Sequence, residues 1–338
     1  MTAADLARAP RVLEAPVLEA PVLEVRGVRH GYGTKPVLDG IDLVVARGQF
    51  VGLVGPSGCG KTTLLNAIVG THPPNAGEVF VHRAGERIAV DGPSRHVGIV
   101  YQRYSLFPDL TALDNVAIGP LLDRTSIPGR WLQPLRTRRL VATLREEARA
   151  LLGSVGLHDA VARFPHELSG GMCQRVAIAQ ALIMKPELLL LDEPFGALDE
   201  AMREQMQELL LQLHRDNDAA VAAGQPAPHT VVMVTHELNE ALYIGHRVLG
   251  LSQHWDWRGA GLPKSPGARI VYDKATPGVV AGERPNSARY EVQRNELRAV
   301  AFNPLQPCHP TLHVTYGRHA PPPPQATATG PVASEGSA

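Results

Sequence analysis

Short stretches that are apolar at every position punctuate the chain: Phe50 to Val54, Leu188 to Leu191 and Val231 to Val234. A strand covered on both faces requires such runs, whereas a half-exposed strand alternates. Leu23, Val25 and Val28 predict a further strand, and Val37 to Val45 another. Leu64 to Val69 reads as a helix stopped by Gly70, and residues 114–183 look mostly helical. Met202, Met206, Leu209, Leu210 and Leu213 fall at i, i+4, i+7, i+8 and i+11, one face of a helix. Strands alternating with helices predict an α/β fold with a largely parallel sheet. Its working loops belong at the carboxyl ends of the strands.

Other segments carry weaker patterns. Residues 1–22 repeat a Leu-Glu-Ala-Pro-Val unit whose prolines oppose both helix and central strand, predicting a flexible leader. Residues 216–229 (DNDAAVAAGQPAPH) read as a loop. Beyond about residue 253 the periodicity fades, with a strand expected at Arg269 to Tyr272 and a helix at Tyr290 to Phe302. Residues 253–320 therefore form a small C-terminal extension, and 321–338, opening on four prolines, a disordered tail.

Composition narrows the function. Of 338 residues, 33 are Lys or Arg and 33 are Asp or Glu, a balance that argues against a dedicated nucleic-acid binder. Three widely spaced cysteines suit neither a disulfide framework nor a zinc site. No run approaches the roughly 20 apolar residues of a membrane span, so a membrane role would have to pass through a partner.

Gly55-Pro56-Ser57-Gly58-Cys59-Gly60-Lys61-Thr62-Thr63 satisfies G-x-x-x-x-G-K-[ST] between an apolar strand and a helix. Glycines let backbone N–H groups turn toward phosphate oxygens, and the helix start adds its positive dipole end. Lys61 suits the β and γ phosphates, and the Thr62 hydroxyl suits Mg²⁺. Asp192 and Glu193 end the second apolar run, where one carboxylate can hold Mg²⁺ and its neighbour can activate water. A solvated acidic turn is the other reading of that pair alone. Ser169-Gly170-Gly171 opens an alanine-rich helix and offers a second phosphate site, or simply a helix cap.

In their order, the phosphate loop, Leu168-Ser169-Gly170-Gly171-Met172, Leu189 to Pro194 and Thr235-His236 resemble ATP-binding cassette (ABC) transporter nucleotide-binding subunits. The nitrate/sulfonate/taurine importer group is the nearest match. The resemblance covers residues 23–252. It implies a P-loop NTPase fold with a mostly parallel core sheet, an antiparallel β subdomain and a helical signature subdomain over about 103–183. It also implies ATP and Mg²⁺ sandwiched in a head-to-tail homodimer, with Ser169, Gly170 and Gly171 acting in trans. Glu193 would be the catalytic base, His236 a γ-phosphate contact, and Gln102 a sensor of Mg²⁺ and water. Asp199, in Ala197-Leu198-Asp199, would cross the dimer interface, and Tyr32 would stack on adenine. A strand-end aromatic is the other reading of Tyr32.

The family further implies an ATPase on the cytoplasmic face of the membrane, bound to integral permease subunits and served indirectly by an extracytoplasmic solute-binding protein. The stretch Asp192 to Glu200 resembles importers more than exporters. A cytosolic cassette acting on ribosomes or DNA is the alternative; a non-hydrolysing scaffold would be expected to lack Glu193. Met172 stands where glutamine is commoner, and Gln180 where arginine is usual. Residues 119–146, carrying Arg136, Arg138 and Arg139, look long for the helical subdomain.

Overall fold

The computed structural model describes residues 20–314 other than 104, 127–131, 197, 263–264, 279–283, 306, 308 and 310–312. Most of the expected leader and the whole of the expected tail lie outside these residues.

The apolar runs become the centre of the larger of two sheets. β3 (Phe50–Val54), β7 (Leu188–Asp192) and β8 (Val231–Val234) are buried at every residue, as is β9 (Arg247–Ser252). With β6 (Val97–Val100), β10 (Arg269–Ala275) and β11 (His313–Val314), they form a seven-stranded sheet in the order β11-β10-β9-β3-β8-β7-β6. The five strands from β9 to β6 run parallel, and β10 is antiparallel to β9. Alternate side chains serve opposite faces. Leu188 and Leu190 join one apolar core, while Leu189 and Leu191 join the other.

The first core lies between this sheet and a four-stranded antiparallel sheet ordered β2-β1-β4-β5. These strands are β1 (Pro21–Tyr32), β2 (Lys35–Ala46), β4 (Ala76–Arg83) and β5 (Glu86–Ala89). The same core takes Leu64, Leu65 and Ile68 from α1 (Lys61–Val69), which ends at Gly70 in the left-handed conformation. β1 begins two residues before the expected leader boundary. Pro21 pairs with Ala46, and Val22 is fully buried. A proline is tolerated at a strand's first residue, so the repeat's prolines do not exclude pairing there.

Helices cover the opposite face. α2 (Ala112–Arg124), α3 (Pro134–Ser154) and α4 (Gly170–Leu182) pack together, followed by α5 (Glu200–Ala222) and α6 (Leu238–Ile244). Thr111 caps α2 by accepting the Asp114 N–H. Fully buried Asn115 donates to the carbonyls of Phe107, Leu110 and Thr111, pinning the turn that leads from Gln102 into the helices. The region expected to be mostly helical is thus helices joined by short 3₁₀ turns at His158–Ala160 and Pro165–Glu167.

The expected loop at 216–229 is only half correct, because α5 continues to Ala222. Its alanines are strong helix formers. Buried Asn217 leaves the helix pattern to bond the carbonyls of Gly48 and His229 and the His229 N–H.

In the C-terminal region, the expected strand is β10, and the expected helix is α7 (Glu291–Phe302), entered through a 3₁₀ turn at Ala288–Tyr290. α7 lays Leu297, Val300 and Ala301 on the sheet. Buried Arg247 grips Asp273 through two bonds of 2.6 Å and also donates to the Val44 carbonyl, joining both sheets at one point. No helix among the described residues is long and apolar enough to cross a membrane.

Candidate nucleotide site

Four parallel strands deliver their carboxyl ends to one edge of the sheet. β3 leads into the phosphate loop, β6 into Tyr101 and Gln102, β7 into Asp192 and Glu193, and β8 into Thr235 and His236.

The loop's backbone depends on glycine. Gly58 (φ 77°) and Gly60 (φ 104°) adopt left-handed conformations that side chains resist. Gly55 has no room for a Cβ, which would lie 2.2 Å from the Leu251 carbonyl oxygen and 2.8 Å from Cys59 Sγ. Gly60 starts α1 with no side-chain cap, leaving the first N–H groups of the helix for another acceptor. Lys61 is buried and folds back, donating to the carbonyls of Gly55 (2.8 Å) and Pro56 (3.1 Å). Ser57 and Thr62 are exposed, Thr63 is half-buried, and Cys59 is buried with its thiol pKa pushed up by desolvation.

Asp192 ends β7 and is buried. Desolvation raises its pKa, the adjacent Glu193 charge raises it further, and Lys61 opposes both. Glu193 turns sharply at φ 48°, its N–H donating to the Val234 carbonyl at 2.8 Å. That conformation is strained for a residue with a side chain. It aims the carboxylate between two partners. Gln102 Nε2 donates to Glu193 Oε2 at 3.1 Å, and His236 Nδ1 lies 3.5 Å from Glu193 Oε1. The structure thus brings together Gln102, Glu193 and His236, from three strand ends, beside Asp192 and Lys61.

Of the other residues singled out from the sequence, Gly171 and Asp199 meet at Met202. Ser169 caps α4 by accepting the Met172 N–H, with Gly170 exposed beside it. The Gly171 N–H points to Met202 Sδ at 3.3 Å, and a Cβ on Gly171 would lie 2.9 Å from that sulfur. Asp199 caps α5 by accepting the Met202 N–H at 2.8 Å. Tyr32 ends β1 half-exposed, edge-on to His30 at 5.0 Å. Met202, counted by its spacing with the apolar face of α5, instead meets the start of α4. Its spacing matched that face, but the first turn of a helix lies at the core's margin.

The roles of three further residues were not legible in the sequence. The Thr235 hydroxyl donates to Glu240 Oε2 at 3.1 Å and accepts the Glu237 N–H at 3.0 Å. Arg203 Nε lies 3.5 Å from Glu240 Oε1. Glu240 is 3% exposed, and its pKa is pushed up to about 7 by desolvation, against the pull of Thr235 and Arg203. A carboxylate on the core side of a short helix, four residues after His236, was the available signal.

Residues 38–196 match the ABC transporter family. The taurine import ATP-binding protein TauB of Yersinia pestis is 41% identical over 228 residues, which cover 68% of this chain and 78% of that protein. The chain belongs to the ABC transporter ATP-binding family. The bicarbonate transport ATP-binding protein CmpD of Synechocystis is 41% identical over 64% of this chain and 68% of its own length. The sulfate/thiosulfate import ATP-binding protein CysA of Pectobacterium atrosepticum is 39% identical over 67% of this chain. The chain spans 62% of that CysA and 60% of the Bradyrhizobium diazoefficiens protein of the same name. Among solved structures, the ABC cassette MJ0796 in its dimeric form superposes with a TM-score of 0.54 at 30% identity, over 75% of this chain and 98% of that one. The same cassette in a dimeric post-hydrolysis state bound to ADP and Pi gives 0.54 at 28%. The ABC cassette architecture of this chain, with its parallel-rich sheet and helical layer, agrees with both.

Proposed function

We propose that this chain binds and hydrolyses ATP as the nucleotide-binding subunit of an importer, driving uptake of a small solute through separate permease subunits. The observation that carries the reading is the Glu193 carboxylate held between Gln102 and His236 beside the phosphate loop. Import subunits among the relatives favour this reading over a cytosolic cassette acting on ribosomes or DNA.

The residues fit a magnesium nucleotide. Thr62, Asp192 and Gln102 offer the oxygen donors a hard cation prefers. Asp192 is a buried carboxylate whose charge is penalised by its surroundings, which a cation would relieve. When bound, Mg²⁺ neutralises charge on phosphate oxygens. Gly55, Ser57, Gly58, Cys59, Gly60, Lys61, Thr62 and Thr63 line the cradle, and the uncapped start of α1 faces the phosphates. Glu193 accepts a proton from the attacking water. Gln102 and His236 keep its carboxylate from swinging, and His236 contacts the γ-phosphate. Tyr32 stacks on the adenine ring.

Ser169 bonds within its own helix start and Gly171 bonds Met202, with Gly170 exposed between them. That supports their serving the nucleotide of a second copy, in a head-to-tail dimer with Asp199 at the crossing. The subunit would sit on the cytoplasmic face through its permease, a solute-binding protein acting upstream, with no part for nucleic acid.

The test pairs binding with turnover. Glu193→Gln is expected to retain ATP affinity while hydrolysis falls about a hundredfold or more, and Lys61→Ala to lose affinity. Wild-type turnover in Glu193→Gln would remove the base assignment.

A further inference from the structure

The first turn of α5 touches two different parts of the site. Asp199 caps the helix, Met202 accepts the Gly171 N–H at the start of α4, and the next residue, Arg203, reaches Glu240. Glu240 holds the Thr235 hydroxyl, which in turn accepts the Glu237 N–H. His236 sits inside that small ring of bonds. The turn that carries it is therefore shaped from below by a carboxylate that never reaches the nucleotide side.

The contact between the two charges is incomplete. Arg203 Nε and Glu240 Oε1 are both buried, have no hydrogen-bond partner, and stand 3.5 Å apart. Buried groups in that state are costly, and a charged pair is costlier still. A shift of well under about 1 Å would bring them to the ~2.8 Å of a charge-assisted bond. The conformation seen here is thus one short movement away from a better-bonded one. The movement is that of the α5 start against the His236 turn.

We propose that Glu240 and Arg203 are positioning residues that couple the Asp199 start of α5 to the turn carrying His236, closing their bond when a second copy engages Asp199. This rests on the ATPase reading of the same site. In the closed state the Glu240 carboxylate pulls on Thr235, fixes the Glu237 N–H, and sets the angle at which His236 meets Glu193. Arrival of the second copy is thereby reported to the hydrolytic centre without a new contact to it.

The coupling needs Glu240 charged. The charged groups facing it are Arg203 and Glu200 from α5 and Glu237 from the turn before α6. His236, which lies 3.7 Å from Glu237, belongs to the same cluster. Burial dominates the upward shift of the Glu240 carboxyl, with Thr235 and Arg203 pulling it down and the two acids pushing it up. Turnover in the wild type is therefore expected to fall as pH drops through about 7.

The experiment measures ATP affinity, kcat and KM from about pH 6 to 8.5 for wild type, Glu240→Gln, Glu240→Ala, Arg203→Met and the Glu240→Ala/Arg203→Met double variant. Affinity is expected to stay within about threefold, and kcat to fall about two- to thirtyfold in the single variants. The double variant should lose no more than the worse single one. Glu240→Gln should lack the wild-type limb near pH 7. Wild-type kcat in Glu240→Ala, a limb that persists in Glu240→Gln, or additive losses in the double variant would overturn the coupling. Loss of nucleotide binding by the wild type would instead strike the ATPase reading. Hydrogen exchange at the Glu237 amide then decides the coupling separately: it should speed up in Glu240→Ala and in Arg203→Met, and an unchanged rate in both overturns the proposal.

Discussion

Acid should destabilise this fold through two histidines, and Glu240 should mask the effect. His214 and His246 meet beneath the start of β3. His214 stacks on Phe50 at 3.7 Å, His246 Nδ1 accepts the Phe50 N–H, and His214 Nε2 bonds the Ile244 carbonyl. Burial lowers His214 to about 3, helped by His246, and lowers His246 to about 4. In the unfolded chain both titrate near 6.5. Below about pH 6.5 the unfolded chain therefore takes up protons that the folded chain refuses, and stability falls with pH. At about pH 5 each histidine contributes a loss of about 2 kcal/mol relative to pH 8, or about 4 together.

Glu240 acts with the opposite sign. Its folded pKa near 7 exceeds the unfolded 4.5, so between those values the folded state binds the extra proton and gains stability on acidification. At about pH 5 that gain is about 2.5 kcal/mol, leaving a net loss near 1.5 kcal/mol for these three groups. Glu240→Gln removes the gain without touching the histidines. Urea unfolding followed by tryptophan fluorescence at about pH 8, 6.5 and 5 should show a steeper acid loss in Glu240→Gln than in wild type, by about 2.5 kcal/mol. Equal slopes in the two proteins would refute the burial argument for Glu240. A histidine-free variant with the wild-type slope would refute it for His214 and His246.

Two other substitutions test the scaffold around the site. Asp273→Asn strands the buried Arg247 guanidinium and should cost about 3–5 kcal/mol, while Arg247→Met with Asp273→Leu should recover most of it, read from the midpoint of thermal or urea unfolding. Gly55→Ala should abolish ATP binding in a protein with native circular dichroism, because its methyl group has no space against Leu251 and Cys59; wild-type affinity in an equilibrium binding assay would contradict that geometry.

The strand that bears the phosphate loop was legible because its burial leaves no polar position and its turn must be glycine. β7, β8 and the core face of α5 were legible for the same reason, and Met206, Leu209, Leu210 and Leu213 are all buried. β9 was not. It is as buried as β3, yet it carries Arg247, whose charge is met by Asp273 from another strand. Hydropathy along the chain cannot register a partner that only the fold supplies. Residues 216–229 read as a loop because they are small and include prolines, while in the fold Asn217 spends its polarity on Gly48 and His229. Gln102 and His236 were legible only through the family resemblance, whereas Glu193 was also legible from its place at the end of an apolar run. No role for Arg203 or Glu240 was legible until the first turn of α5 was set against the His236 turn.

The strain at Glu193 explains why such supports are useful. Its positive φ is held by its N–H bond to the Val234 carbonyl of the neighbouring strand and by its carbonyl accepting the Gly196 N–H, so the sheet helps fix where the carboxylate begins. Its two side-chain neighbours come from segments that are not strand. Gln102 follows β6 on a turn pinned through Asn115, and His236 rides a turn held through Thr235 and Glu240. A rigid carboxylate between two adjustable partners can be switched by moving either partner, without deforming the sheet. On the proposed function, the permease and the second copy would each then have a lever, Gln102 for one and His236 for the other. Hydrolysis would require both to be set.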